Sequence, residues 1–152
     1  MRYFVVGAAV VLAACVHSAP KTLTPSIEET VNGTPDATFQ AALQSVSNQG
    51  LPIREADPTT HVIQTEYVDI AQYDPQSASQ YPQSERLVRF KVLIAPNPNG
   101  PGSSVAILGV YSPFTIGFAT SERNERTIPK EHPGMKIVRR IRDDIVKAVG
   151  GG

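Results

Sequence analysis

The strongest constraint on the fold is a pair of alternating apolar segments in the second half of the chain. In residues 87–94 every second residue is apolar, and Arg89 and Lys91 fall between them, which is the period of a half-buried strand. The Asn-, Pro- and Gly-rich residues 97–102 predict a turn. Residues 105–111 then return as a second strand. Both faces of this strand are apolar, which indicates a central strand or a covered outer face.

Weaker strand patterns occur in four more segments: residues 26–32, 51–55, 62–70 and 114–118. The second and third segments flank a turn at 57–60 and predict a hairpin. In the longer arm of this hairpin, Ile63, Thr65 and Tyr67 are expected on one face of the sheet. The last segment follows Pro113 and is expected to be the final strand.

The first of two helices is predicted from its ends and its apolar stripe. Thr34 is a good N-cap, and Pro35 suits the first helical position because its missing N–H has no partner to lose there. Gly50 is typical of a helix end. The apolar residues recur at helical spacing, at Phe39, Ala42, Leu43 and Val46.

A second amphipathic helix is predicted over residues 135–149. The residues expected in the core are Ile137, Val138, Ile141, Ile145 and Ala148. Those expected in solvent are Arg139, Arg140, Asp143, Asp144 and Lys147. Because this exposed surface mixes both charges, it indicates a solvated face rather than a lipid-binding one.

Together these patterns predict an α+β domain over residues 26–150. We expect an antiparallel sheet of about five or six strands in the order β-α-β-β-β-β-α, with both helices packed on one face. Residues 71–85 are irregular in composition and are expected to be a mobile loop that buries little. This loop carries Tyr73 and Tyr81. It is interpreted as a tolerated insertion, with a partner-contacting loop as the alternative.

The N-terminal residues resemble a lipoprotein signal peptide. Arg2 is followed by an apolar run that is too short to span a bilayer, since a spanning helix needs about 20 apolar residues. The run ends in Leu-Ala-Ala-Cys at 12–15, which looks like a bacterial lipobox. The single cysteine of the chain, Cys15, stands at the processing position. The resemblance implies that residues 1–14 are removed and that Cys15 is acylated.

Such processing would leave 152 − 14 = 138 residues, with residues 15–25 as a short tether. Loss of Arg2 would leave 14 − 1 = 13 basic and 14 acidic residues, which gives no large positive field for nucleic acid. Val16 follows the cysteine, in place of the Asp that retains lipoproteins in the inner membrane. The resemblance therefore implies an outer-membrane lipoprotein that faces the periplasm.

The domain also resembles a known family. Its pattern is similar to the helix-grip domains of BamC-type (NlpB/DapX-like) lipoproteins over residues 26–149. The lipobox, the closing helix and four further segments carry the resemblance: residues 34–36, 49–53, 57 and 62–67. The resemblance implies a helix-grip fold and an accessory role in outer-membrane protein assembly. Those proteins often carry two such domains and a long N-terminal segment, whereas this chain predicts one domain and a short tether.

No motif for catalysis, metal binding or cofactor binding stands out. The histidines are far apart in sequence, at His17, His61 and His132, and none has a second ligand at metal-site spacing. The adjacent acidic pairs are expected to point apart: Glu28 with Glu29, and Asp143 with Asp144. We therefore expect no catalytic residue, no metal and no cofactor. Cys15 is the one predicted site, as the point of lipidation.

The main hypothesis is a non-enzymatic, membrane-anchored envelope lipoprotein whose domain binds a protein partner. It rests on the predicted anchor and on the strand at 105–111, which is apolar on both faces. The alternative is a module that binds a small ligand or lipid in a cavity lined by Phe90, Ile107 and Phe118. An enzyme would require His61 or His132 to cluster with carboxylates in a pocket.

Overall fold

A computed structural model describes residues 22–113, 115–116, 119–120 and 124–150. The strands are β1 (Ile27–Val31), β2 (Ile53–Asp57), β3 (Val62–Thr65), β4 (Val68–Asp69), β5 (Leu87–Pro96), β6 (Ser103–Tyr111), β7 (Thr115–Ile116), β8 (Ala119–Thr120) and β9 (Arg126–Thr127). The helices are α1 (Pro35–Asn48), α2 (Pro75–Ala78), α3 (Gln83–Arg86) and α4 (Met135–Val149), with a 3₁₀ turn at Ile70–Gln72. The cysteine predicted to be lipidated, Cys15, lies outside the described residues.

The predicted hairpin of β5 and β6 forms the centre of a seven-stranded antiparallel sheet. The strand order is β1-β6-β5-β3-β2, while β4 pairs with β5 and β9 pairs with β6. Register in the central pair runs from Val88 opposite Tyr111 to Pro96 opposite Ser103. An α+β fold with an antiparallel sheet is therefore confirmed.

Both long helices cover one side of this sheet, which we call the inner face. Alternate residues of the central strands point into a continuous core: Val88, Phe90, Val92 and Ile94 from β5, and Val105 and Ile107 from β6. They meet the buried stripes of the two helices, which include Phe39 and Val46 from α1 and Ile141 and Ile145 from α4. The predicted stripes are confirmed except at Ala148. That residue is exposed, because the last turn of α4 lies beside α1 along a groove that Ala148 lines.

The ends of α1 follow the predicted chemistry. The Thr34 hydroxyl accepts a hydrogen bond from the Ala37 amide at 3.3 Å, and Pro35 occupies the first turn. Gly50 has φ +68°, a left-handed conformation that favours glycine after a helix. Both predicted helix boundaries are confirmed.

The strand predicted over residues 62–70 is interrupted at residues 66–67, between β3 and β4, and it ends at Asp69. The Thr65 hydroxyl accepts the Phe90 amide at 3.0 Å, and the Glu66 amide donates to the Pro52 carbonyl. The backbone ladder between β3 and β5 therefore ends at Gln64, opposite Lys91. Tyr67 was expected to share a face with Ile63 and Thr65, but its hydroxyl bonds to Glu125, which lies against Arg89 on the opposite face of the sheet.

The prediction of an irregular loop at residues 71–85 is also wrong, although Ala78 is the one residue of this range that is fully buried. Residues 68–86, which we call the strap, contain β4, the 3₁₀ turn, α2 and α3. The side chains of Asp69 and Asp74 cap the 3₁₀ turn and α2, and Ile70 and Ala78 are buried in the core. The strap therefore forms part of the domain.

The predicted final strand at 114–118 is wrong as a strand of the main sheet. Its described residues Thr115 and Ile116 form β7, which pairs only with β8 in a separate two-stranded hairpin. The last strand of the main sheet is instead β9, which pairs with β6 and which the sequence patterns did not predict. It is followed by Ile128, whose Cδ1 would lie 2.5 Å from a Cβ at Gly109. Glycine in β6 thus makes room for the incoming chain.

The start of the described chain is attached to the sheet before the predicted domain boundary at residue 26. The Thr127 hydroxyl donates to the Thr24 carbonyl at 2.8 Å, and the Gly109 amide donates to the Ser26 hydroxyl at 3.0 Å. The tether was predicted over residues 15–25, but Thr24, near its end, is thus bonded to the folded domain. Within the described residues, the helices are too short or too polar to cross a membrane.

Candidate functional site

The side of the sheet opposite α1 and α4, which we call the outer face, carries the candidate site. A cross-strand row runs from edge to edge in the observed register, through Asp57, Val62, Leu93, Ala106 and Glu28. Its centre is apolar and its two ends are acidic. Leu93 is 40% exposed and Val62 and Ala106 are half-buried, so the row presents an apolar strip to solvent.

Exposure falls along the outer face from this row towards Arg89 and Val110. On β5 it drops from Leu93 through Lys91, whose side chain is 19% exposed, to Arg89 at 3%. On β6 it drops from the half-buried Ala106 to the buried Leu108 and Val110. The outer face therefore has an open half, centred on Leu93, and a covered half, centred on Arg89.

A charged cluster occupies the covered half. Glu125, which precedes β9, is 4% exposed and lies over β5. Its Oε2 accepts a hydrogen bond from Lys91 Nζ at 2.5 Å, and its Oε1 accepts from Arg89 at 3.3 Å and from the Tyr67 hydroxyl at 2.6 Å. The Arg89 guanidinium lies 4.1 Å from the centroid of the Tyr67 ring, in a cation–π contact.

This cluster holds Glu125, and with it the start of β9, in place over β5. A buried carboxylate without partners would lose several kcal/mol of solvation, whereas two cations and a hydroxyl satisfy both oxygens of Glu125. The carboxylate of Glu125 is thus enclosed by these three partners and hydrogen-bonded to them. It is therefore a structural contact rather than a general base that could reach a substrate.

An acidic margin borders the open half of the outer face. Glu28 and Glu55 are both exposed, and the register places them beside Ala106 and Gln64 on this face. A surface depression of about 310 Å³ lies at the β1 edge and is lined by Glu28, Glu29, Thr30 and Ser104. The margin therefore favours positively charged groups near the apolar row.

The carboxylate at the other end of the row is fixed in its turn. Asp57 accepts hydrogen bonds from the Thr60 hydroxyl and the Thr59 amide, both at 2.8 Å. These bonds, the hydroxyl first, hold the pKa of Asp57 below its ordinary value. Because they stabilise the charged form, Asp57 stays negative across the physiological range.

The histidines are not brought together. His61 Nε2 lies 2.7 Å from the exposed carboxylate of Asp36, and the ring packs edge-on against Phe39. His132 is buried at 2% exposure on another part of the domain, against Tyr81 and Tyr111. His17 lies outside the described residues. In the described part of the chain, no group of three His, Cys, Asp or Glu side chains is placed to bind a metal ion.

The adjacent acidic residues point apart, as predicted. Asp144 accepts a hydrogen bond from Ser45 of α1 at 2.7 Å, whereas Asp143 pairs with Arg142 at 2.5 Å. Glu28 lies on the outer face, while Glu29 contacts Arg142 of α4 at 3.7 Å. Neither pair forms the facing carboxylates of an acid–base site.

Two of the residues expected to line a ligand cavity are part of the packed core. Phe90 and Ile107 are both 0% exposed and belong to the continuous cluster beneath the helices. The third, Phe118, lies outside the described residues. Packing at Phe90 and Ile107 argues against a cavity between the sheet and the long helices.

Sequence reasoning missed the cluster at Glu125, although a signal for it was present. Arg89 and Lys91 lie on a strand whose neighbour, β6, is apolar on that same face. Cations placed beside apolar residues need a counter-ion, because burial of an unpaired charge is costly. The alternation of β5 could therefore have predicted that an acidic residue from elsewhere covers this face.

No protein-family model matches the sequence, and no curated protein matches it. The resemblance to BamC-type lipoproteins and the helix-grip name therefore stay predictions.

Proposed function

We propose that this protein is a non-enzymatic, membrane-anchored envelope lipoprotein whose domain binds a protein partner through the open half of the outer face. The observation that carries the proposal is the exposure of the apolar row at Val62, Leu93 and Ala106. The other face of the same central strands is covered by α1 and α4. The lipid anchor rests on the resemblance of residues 12–15 to a lipobox. Both parts agree with an accessory role at the outer membrane.

The chemistry of the open half selects one kind of partner. Its apolar centre favours a partner that contributes aliphatic or aromatic side chains, since burying apolar area gives about 25 cal/mol per Å². Its exposed carboxylates, at Glu28 and Glu55, favour lysine or arginine beside those side chains. The partner is therefore a protein segment that combines apolar and basic residues.

Site-specific photocrosslinking tests the surface. A photoreactive residue is placed at position 93 in the lipidated protein, and at position 37 on the exposed side of α1 as the matched control. Adducts are resolved and identified in isolated cell envelopes. The proposal requires an adduct that forms from position 93 and is absent from position 37.

Charge reversal then tests the partner's chemistry. Changing both Glu28→Lys and Glu55→Lys should reduce the position-93 adduct at least tenfold, while Lys130→Glu, an exposed change remote from the row in sequence, should not. An adduct that survives charge reversal, or one that joins two copies of this chain, would contradict a basic protein partner.

The anchor is tested separately. Intact mass measurement of the membrane-extracted protein should show a chain that begins at Cys15 and carries acyl groups. The Cys15→Ala variant should lose both processing and membrane attachment. An unmodified N-terminus in the native protein would reject the anchor without affecting the proposed surface.

The alternative, a small-ligand or lipid-binding module, has less support. Its expected cavity coincides with Phe90 and Ile107, which are fully buried in the core. Lipid extraction from the purified protein, followed by mass spectrometry, distinguishes the two proposals. A stoichiometric co-purifying lipid, beyond the acyl groups of the anchor, would favour the alternative.

A further inference from the structure

His132 connects the strap to the rest of the domain. Its Nε2 lies 3.1 Å from the carbonyl oxygen of Glu85, which belongs to α3 of the strap. Its ring packs edge-on against Tyr81 of the strap, with centroids 4.7 Å apart, and parallel to Tyr111 at the end of β6, with centroids 6.5 Å apart. One side chain thus contacts the strap, the sheet and the turn that leads into α4.

The hydrogen bonds assign the protonation state of this ring. The Gly134 amide donates to His132 Nδ1 at 3.1 Å, so Nδ1 carries a lone pair and no proton. The Glu85 carbonyl is an acceptor, so Nε2 carries the proton. The ring is therefore the neutral Nε2–H tautomer, and it is 2% exposed.

Protonation is incompatible with this arrangement. If Nδ1 takes a proton from solvent, two N–H groups face each other across the 3.1 Å contact with Gly134, and the amide loses its acceptor. The imidazolium would also be a charge at a position that is only 2% exposed, where it loses its hydration. The bond to the Glu85 carbonyl would remain, but the ring could keep its charge hydrated only by leaving its site.

We propose that His132 is an acid-sensitive latch, whose protonation at Nδ1 breaks the contact with Gly134 and releases the strap from β6 and from the start of α4. Release exposes Ile70 and Ala78, which the strap buries in the core. The acid form would therefore present a second apolar surface that the neutral form conceals.

The groups around the ring are consistent with a latch that is closed at neutral pH. Burial lowers the pKa of His132 below its ordinary value, and the carbonyl and carboxylate of Glu85 offset part of that effect. Tyr81 and Tyr111 are the side chains that pack against the ring. The turn also carries Lys130 and Glu131, both exposed, and the first charged residue of α4, Lys136, is paired with Asp74 of the strap.

Hydrogen exchange of the full chain tests the latch. Amide protection is measured by mass spectrometry at pH 7.5 and pH 5.0 and corrected for the intrinsic pH dependence of exchange. Protection in residues 68–86 should fall at least tenfold at pH 5.0, whereas protection in β6 should stay within twofold. In parallel, ¹⁵N NMR of the ring should show Nδ1 unprotonated at pH 7.5.

Two variants isolate the histidine. His132→Gln retains an amide N–H for the Glu85 carbonyl and an oxygen for the Gly134 amide, but does not titrate. It should show the same strap protection at both pH values. His61→Gln removes the solvent-side histidine and should keep the wild-type response. If the first variant fails to fold, ring NMR of the wild type against pH supplies the comparison.

Specific results would overturn the latch. Strap protection that does not change between the two pH values would do so, as would a His132→Gln variant that keeps the full change. A His132 ring that becomes protonated while the strap stays protected would also exclude it.

Discussion

Val92 and Leu93 are neighbours on the central strand, yet they belong to different environments. Val92 is 1% exposed and packs beneath the two helices, while Leu93 is 40% exposed on the outer face. Because successive strand residues point to opposite sides, one strand contributes both to the core and to the candidate binding surface. Stability and recognition can therefore change independently along β5.

The two faces are also closed by different forces. The inner face is covered by aliphatic and aromatic side chains from α1 and α4, which bury apolar area without direction. The covered half of the outer face is held by Glu125 with Arg89 and Lys91. Such a contact is specific in position but contributes less net free energy, since desolvating the charges offsets much of their attraction. The difference predicts which substitutions unfold the domain.

The largest effect is expected on the inner face, from Ile141→Asp. Ile141 is 0% exposed in the middle of α4, so the new carboxylate would be buried without a partner. The loss should exceed about 4 kcal/mol, at the upper end of single substitutions, and remove the cooperative thermal transition seen by circular dichroism. Arg139→Asp, on the exposed side of the same helix, should retain it. An unchanged midpoint for Ile141→Asp would contradict the packing of α4.

A smaller effect is expected in the covered half of the outer face, from Glu125→Ala. This change leaves Arg89 and Lys91 facing each other without their shared carboxylate, which should cost about 3 kcal/mol in urea unfolding. The exposed outer-face residue Glu55, changed to Ala, is the matched control and should alter stability by less than about 0.5 kcal/mol. Equal effects of the two substitutions would show that the cluster does not close this face.

Regular, local patterns predicted the inner face well. The alternation of β5, the stripe of α1 and the Thr34–Pro35 helix start each depend on residues a few positions apart. Both central strands and both long helices are therefore placed as expected. Ala148 is the exception. Helical periodicity predicts which side of α4 faces inward, but not whether α1 covers the last turn of that side.

The outer face was harder to predict, because its contacts join distant residues. Glu125 meets Lys91 and Arg89 across separations of 34 and 36 positions, and no local period records such a pairing. The strap was missed for another reason, since its helices have only four residues each. Asp74-Pro75 is nevertheless the same cap-and-proline signal as Thr34-Pro35, and it could have predicted α2.

An intermediate effect, dependent on pH, is expected at the junction of strap and sheet. The folded-state pKa of His132 lies below its ordinary value of 6.5 because the ring is buried. The unfolded chain therefore binds the proton more readily, and the free energy of unfolding falls as pH drops from 6.5 through the folded-state pKa. Each unit of pKa depression corresponds to about 1.4 kcal/mol. Urea unfolding at pH 7.5 and 5.0 should show this loss in the wild type.

The His132→Gln variant supplies the reference for that measurement, because it lacks the titrating ring but retains the other acids. The free energy of unfolding of the wild type, relative to that of the variant, should be higher at pH 7.5 than at pH 5.0. A difference that does not depend on pH would mean that His132 stays neutral throughout or is solvated when folded.

The smallest effect on stability is expected from Leu93→Ser in the open half of the outer face. Because this side chain is already 40% exposed, its loss should cost less than about 1 kcal/mol, whereas Val92→Ser should cost about 2–4 kcal/mol through lost packing and a buried hydroxyl. Affinity for the partner captured from position 93 should respond in the opposite order: a loss of at least tenfold for Leu93→Ser in a fully folded protein. If Leu93→Ser leaves binding intact, the exposed row is not the binding surface. If it unfolds the domain, the outer face contributes to stability as the inner face does, and the separation of roles along β5 is wrong.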